Sequence, residues 1–149
     1  SSLSLAFADC EKLETIEGLL TWDFSDCNDF GGSFRWSTVY DQLLTGIDTG
    51  KALNFSFMFS STNYTQDLSN LNYASATNMG DFMTSSSWGT PNFDLLIESW
   101  HNGVSVTGTQ PKTGCPVGVG STQYSASVQA KYDALVAYGI IFTDGGVAP

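Results

Sequence analysis

Residues 1–8 alternate small or polar with apolar side chains at period two, with Leu3, Leu5 and Phe7 against Ser2, Ser4 and Ala6. That pattern predicts a β-strand with one apolar face to bury. Residues 53–60 repeat it more strongly, placing Leu53, Phe55, Phe57 and Phe59 on a core face opposite Asn54, Ser56 and Met58. Residues 33–40 set Phe34, Trp36 and Thr38 against Arg35, Ser37 and Val39, which predicts another strand with Trp36 inward. Residues 19–24 favour a strand that buries Trp22, after a short turn capped by Asp9, while residues 38–44 fit either a strand end or a helix capped by Thr38 and Asp41.

In the second half, residues 92–100 and 104–109 flank His101-Asn102-Gly103, and Asn-Gly is the preferred pair for a tight type I′ hairpin turn. Residues 124–133 alternate Tyr124, Ala126, Val128, Ala130 and Tyr132 with polar neighbours and run into the apolar residues 135–142. Two consecutive strands fit this best, and a helix over 125–138 is the competing reading. Residues 61–91 and 108–121, rich in Ser, Thr, Asn and Gly, read as loops carrying one or two short strands. No internal repeat or linker stands out. The expectation is an all-β chain: a single β-sandwich or jelly-roll-like domain of about eight strands over residues 9–149, preceded by residues 1–8 as an N-terminal extension strand.

A length of 149 residues suits one domain. Charged residues make up only 13% of the chain, against roughly 25% in ordinary soluble domains, so uncharged polar groups must supply much of the surface. Such a surface fits a secreted, extracellular or cell-surface protein. Fifteen acids against five bases give a net charge of −10, which repels phosphate backbones and argues against nucleic acid as a partner. No apolar run approaches the ~18 residues of a membrane helix, so membrane insertion is not expected. The triplet Ala6-Phe7-Ala8 also has the form of a leader-cleavage site, a competing reading of the first strand.

Candidate chemistry is sparse. Cys10, Cys27 and Cys115 allow one intrachain disulfide, with Cys10–Cys27 favoured and Cys115 as the alternative partner. Asp23, Asp26 and Asp29 cluster before Gly31-Gly32 as hard oxygen ligands for Ca²⁺, but an ordinary acidic turn is the competing reading and no metal is expected. Asn54-Phe55-Ser56 and Asn63-Tyr64-Thr65 are N-glycosylation sequons, making Asn54 and Asn63 candidate glycan carriers. Trp88, in a polar loop, is the candidate for stacking on a sugar ring. The lone His101 sits at the predicted hairpin tip without triad or metal partners; Glu98 paired with one of the aspartates could serve glycoside hydrolysis, but solvated surface acids are the favoured reading. No phosphate loop, Cys-x-x-Cys or Gly-x-Ser-x-Gly occurs, so neither a cofactor nor an enzyme is expected.

An apolar strand at a terminus, on a β-rich and charge-poor chain, resembles the donor-strand subunits of pili and fimbriae, in which an N-terminal extension completes the sheet of the next subunit. The resemblance covers residues 1–8. It implies a structural subunit of an extracellular filament, a helical homopolymer whose Leu3, Leu5 and Phe7 fill a groove on a neighbouring copy. The alternative is a secreted carbohydrate-binding β-sandwich with glycans as partners.

Overall fold

A computed structural model describes residues 1–104 and 108–149. Its regular elements are two helices, α1 (Thr90–Asn102) and α2 (Gln129–Tyr138), and two three-residue strands, β1 (Pro116–Gly118) and β2 (Ile141–Thr143). The strands pair in parallel, Pro116 opposite Ile141 and Gly118 opposite Thr143. The expected all-β sandwich or jelly roll is therefore not the fold. The predicted hairpin strand over residues 104–109 falls partly outside the described residues.

The N-terminal part is a stack of coils. Isolated parallel bridges join Ser2 to Asp29, Asp29 to Asn54 and Asn54 to Asn78, and Met79 then bridges to Val117 of β1. Residues 2–9, 29–36, 54–61 and 78–85 thus lie one above another as rungs of a solenoid, each contacting its neighbours. Leu3, Leu5, Phe7 and Asp9 donate their amides to the carbonyls of Asp29, Gly31, Ser33 and Arg35. Phe30, Gly32, Phe34 and Trp36 donate in the same way to Asn54, Ser56, Met58 and Ser60.

The rungs are successive tight turns rather than strands. Local bonds close them, such as Ala6 N to Leu3 O, Arg35 N to Gly32 O and Ser60 N to Phe57 O. Every fourth residue takes positive φ: Leu5 and Asp9 (57° and 58°), Gly32 and Trp36 (61° each), Phe57 and Ser61 (56° and 58°), Asp81 and Ser85 (53° and 59°). A left-handed residue breaks the alternation of side chains that a strand would impose. This overturns the strand expected over residues 53–60: Phe55, Met58 and Phe59 are buried, whereas Leu53 and Phe57 are exposed. Trp36 is likewise turned outward.

Side chains pointing inward form columns. Tyr40 and Tyr64, Leu44 and Leu68, Ala52 and Ala76, and Phe59 and Met83 are each 24 residues apart and buried. Phe30 stacks on Phe55 with ring centroids 5.6 Å apart, and Phe34 stacks on Phe59 at 5.3 Å. Each such ring contributes roughly 1.5–3 kcal/mol by burial and about 0.5–1.5 kcal/mol through ring pairing. Asx turns repeat with the coils, Asp23, Asp48 and Asn72 accepting the amides of Ser25, Gly50 and Ala74 at one corner.

Helix α1 interrupts the stack. Pro91 sits in its first turn, where no backbone donor is missed, and Phe93, Leu96, Ile97 and Trp100 form its buried stripe at helical spacing. The predicted strand and hairpin over this segment are corrected accordingly, with Asn102 at the helix end rather than in a hairpin turn. Helix α2 packs against α1 and ends at Gly139, φ 114°, whose amide donates to Leu135 O and Val136 O. The helix that competed with two strands over 125–138 is what forms, preceded by a 3₁₀ turn at Ala126–Val128. Residues 19–24 also form no strand and instead contain a 3₁₀ turn at Leu19–Thr21.

Candidate functional site

The outer surface of the rungs carries the most distinctive chemistry. Each rung opens with a side chain that closes a turn on the amide two residues on: Ser2 to Ser4, Asp29 to Gly31, Asn54 to Ser56 and Asn78 to Gly80. Asn54 Nδ2 also donates to Asp29 Oδ1 at 2.9 Å, linking one rung to the one before it. Beside this ladder Gly31 and Gly32 are buried, and the side chains of Asn54 and Leu5 fill the space a Cβ would take. A Cβ on Gly31 would lie 2.5 Å from Asn54 Nδ2, and one on Gly32 would lie 2.7 Å from Leu5 Cδ2.

These glycines line a cavity of about 170 Å³ together with Ser4, Leu5, Arg35, Asn54, Ser56 and Phe57. The Arg35 guanidinium carbon lies 3.9 Å from the centroid of the Trp36 ring and 5.1 Å from that of Phe57. Both rings are about two-fifths exposed and Leu5 is 59% exposed. Positive φ at Leu5, Trp36 and Phe57 holds these side chains on the surface, at a cost of about 1–2 kcal/mol for each residue in the left-handed region. Whereas Lys51 pairs with Asp26 and Lys131 with Glu98, the Arg35 guanidinium has no hydrogen bond or ion pair among the described residues, and its Nε is buried without a partner.

The residues singled out by sequence are scattered. Trp88, the sugar-stacking candidate, is 2% exposed, with its indole N–H donated to Gln66 O; Trp22 and Trp36, assigned to the core, are the exposed tryptophans. Cys10, Cys27 and Cys115 are all free. Cys10 lies at the far end of its rung beside Ser37, while Cys27 precedes the start of the next rung, in the interior column of Ala52 and Ala76, so the expected bridge does not form. Burial pushes the Cys115 thiol up to about 11, which keeps it protonated and inert at neutral pH.

Asp23, Asp26 and Asp29 do not converge. Asp23 closes its own turn and Asp29 holds Gly31 and Asn54, while the hydrogen bond from Lys51 keeps the Asp26 carboxyl below its ordinary range. Among the described residues no three His, Cys, Asp or Glu side chains are grouped for a metal ion. The Asn54 amide nitrogen is engaged in the ladder, whereas Asn63 is exposed and accepts only a bond from Ser87. Leu3 and Phe7 pack against the core of their own chain, with Phe7 stacked on Phe34 at 5.5 Å, and Leu5 lies over Gly32. His101 lies on α1, half-buried, and Glu98 holds Lys131 at 2.7 Å.

Arg35, Trp36 and Gly31-Gly32 were missed as a site because strict alternation placed Trp36 inside. The signal that finds them is the recurrence of Phe or Met at 30, 55 and 79, which reveals a coil period and with it the turn positions.

No curated protein and no solved structure matches the chain. A family model does match, over residues 1–110, a span that takes in the four turn-built rungs and α1. Covering well over half of the sequence, that match makes the chain a member of the family described as "Mycoplasma protein of unknown function, DUF285".

Proposed function

We propose that the protein is a non-enzymatic recognition module whose coil stack presents a ligand-binding face formed by Leu5, Arg35, Trp36 and Phe57. The observation that carries this reading is the outward placement of three large apolar side chains around an unpaired arginine, on a scaffold whose own packing would be served by glycine at those left-handed positions. Aromatic faces and a guanidinium on rigid backbone suit saccharides, as the carbohydrate-binding expectation requires. A charge-poor surface supports an extracellular setting for such a module. The test is a glycan array probed with the wild type and with Trp36→Ala. Retention that falls at least tenfold in the variant, with an unchanged melting temperature, supports the proposal. Equal retention, or no retention of any glycan, contradicts it.

Assembly into filaments is a second reading, favoured by one observation. The carbonyls of Ser2, Ser4, Ala6 and Ala8 correspond to the Asp29, Gly31, Ser33 and Arg35 row that receives the first rung's amides, and among the described residues no backbone amide reaches them. A coil of another copy seated on that row would extend the stack by head-to-tail contact. Insertion of residues 1–8 into a neighbour would instead break the bonds that Leu3, Leu5 and Phe7 make within their own chain. Light scattering and electron microscopy read the outcome: concentration-dependent fibres support assembly, and a monomer at every concentration removes it.

A further inference from the structure

We infer that the cavity beside Arg35 binds the carboxylate of an acidic sugar residue, a pyranose carrying a carboxylate group, an inference that rests on the recognition reading and names its ligand class. Arg35 is held in place without a salt bridge: its guanidinium lies over Trp36 at 3.9 Å and near Phe57 at 5.1 Å. Stacking of this kind restrains the plane of the guanidinium while leaving N–H groups free to donate, so little side-chain freedom remains to be lost when an anion docks. The preferred partner of that planar fork is a planar carboxylate, which can accept two parallel hydrogen bonds.

Charge selects within the oxyanions. The chain carries −10 overall, and Asp29 lies beside the cavity, where its Oδ1 would be 3.0 Å from a Cβ on Gly31. One arginine balances the single charge of a carboxylate, whereas a phosphate monoester, at about −1.5 to −2, would leave negative charge facing Asp29. The remaining wall suits a sugar ring. Phe57 and Leu5 offer apolar surface, the Ser4 hydroxyl makes no hydrogen bond among the described residues, and Ser56 donates to Asn54 and leaves its oxygen as an acceptor. A cavity of about 170 Å³ suits one sugar unit rather than a chain.

Calorimetric titration of the full chain with oligogalacturonate, its methyl ester, a neutral galactose oligomer and a sulfated galactan separates the alternatives. The inference predicts saturable binding of oligogalacturonate, at least tenfold weaker binding of the ester and the neutral oligomer, and loss of the preference for acid in Arg35→Gln, with the melting temperature of the variant checked in parallel. Arg35→Lys keeps the charge without the fork and is expected to recover only part of the binding. Equal binding of acid and ester with sensitivity to Trp36→Ala would overturn the carboxylate assignment and leave the recognition reading standing. Equal or tighter binding of the sulfated galactan would also overturn that assignment. Binding of none of the four would overturn the inference, while the glycan array decides the broader reading separately.

Discussion

The side-chain amide of Asn54 donates to Asp29 Oδ1 at 2.9 Å, while its own Oδ1 accepts from the amide and hydroxyl of Ser56. One residue therefore closes a turn in its own rung and ties that rung to the preceding one. Asn54→Ala removes both functions and is expected to cost about 1–3 kcal/mol. Asn54→Asp keeps the turn but sets a second carboxylate against Asp29. Its deficit is expected at pH 7 and should shrink as the pH falls toward 4, which urea unfolding at the two pH values will read.

Tyr40 and Tyr64 form a second informative pair, buried side by side with ring centroids 6.3 Å apart. Tyr64 donates its hydroxyl to Gln42 O, whereas the hydroxyl of Tyr40 has no partner among the described residues. Removing an unpaired buried hydroxyl relieves a desolvation cost, and removing a bonded one leaves an acceptor bare. Tyr40→Phe is expected to be neutral or stabilising by up to ~1 kcal/mol, and Tyr64→Phe destabilising by about 1 kcal/mol, in the same unfolding assay.

Asp41 links stability to pH. Partial burial acts to raise its pKa, but bonds from the Thr65 amide and hydroxyl and from Gln66 outweigh it and hold the carboxyl below its ordinary value of 3.8. A carboxyl lowered in the folded state stabilises fully above its unfolded pKa, and loses that contribution as the pH falls through its folded value. The stability gap between wild type and Asp41→Asn is therefore expected to be widest above about pH 5 and to close as the pH falls below 3.8. A gap constant with pH would remove Asp41 from this role.

Only some of the buried rings were legible in sequence: Phe34, Phe55 and Phe59 are core as their positions predict, whereas Trp22, Trp36 and Phe57 were placed inside and Trp88 outside, each the reverse of what forms. The architecture was not legible, because alternating apolar residues satisfy a strand and a run of turns alike until the left-handed residue is known. Leu5, Trp36 and Phe57 occupy that position although bulky side chains disfavour it, so local preference pointed away from the answer. In α1, the spacing of Phe93, Leu96, Ile97 and Trp100 was a helical signal that the adjacent Asn-Gly pair masked. Of the candidate site, Gly31-Gly32 and Arg35 carried visible local character, but their convergence with Leu5 and Phe57 depends on a coil period written only in residues about 24 apart.

The outward turn of Phe57 at positive φ underlies both the coil and the binding face, and the unfolding free energies of Phe57→Gly and Phe55→Ala test it together. Glycine is at home at φ 56°, and the lost contact with Arg35 is modest, so Phe57→Gly is expected to stay within about 1 kcal/mol of wild type, while Phe55→Ala loses about 3–5 kcal/mol. A loss of comparable size in both variants would place the two rings on one buried strand face and contradict the account.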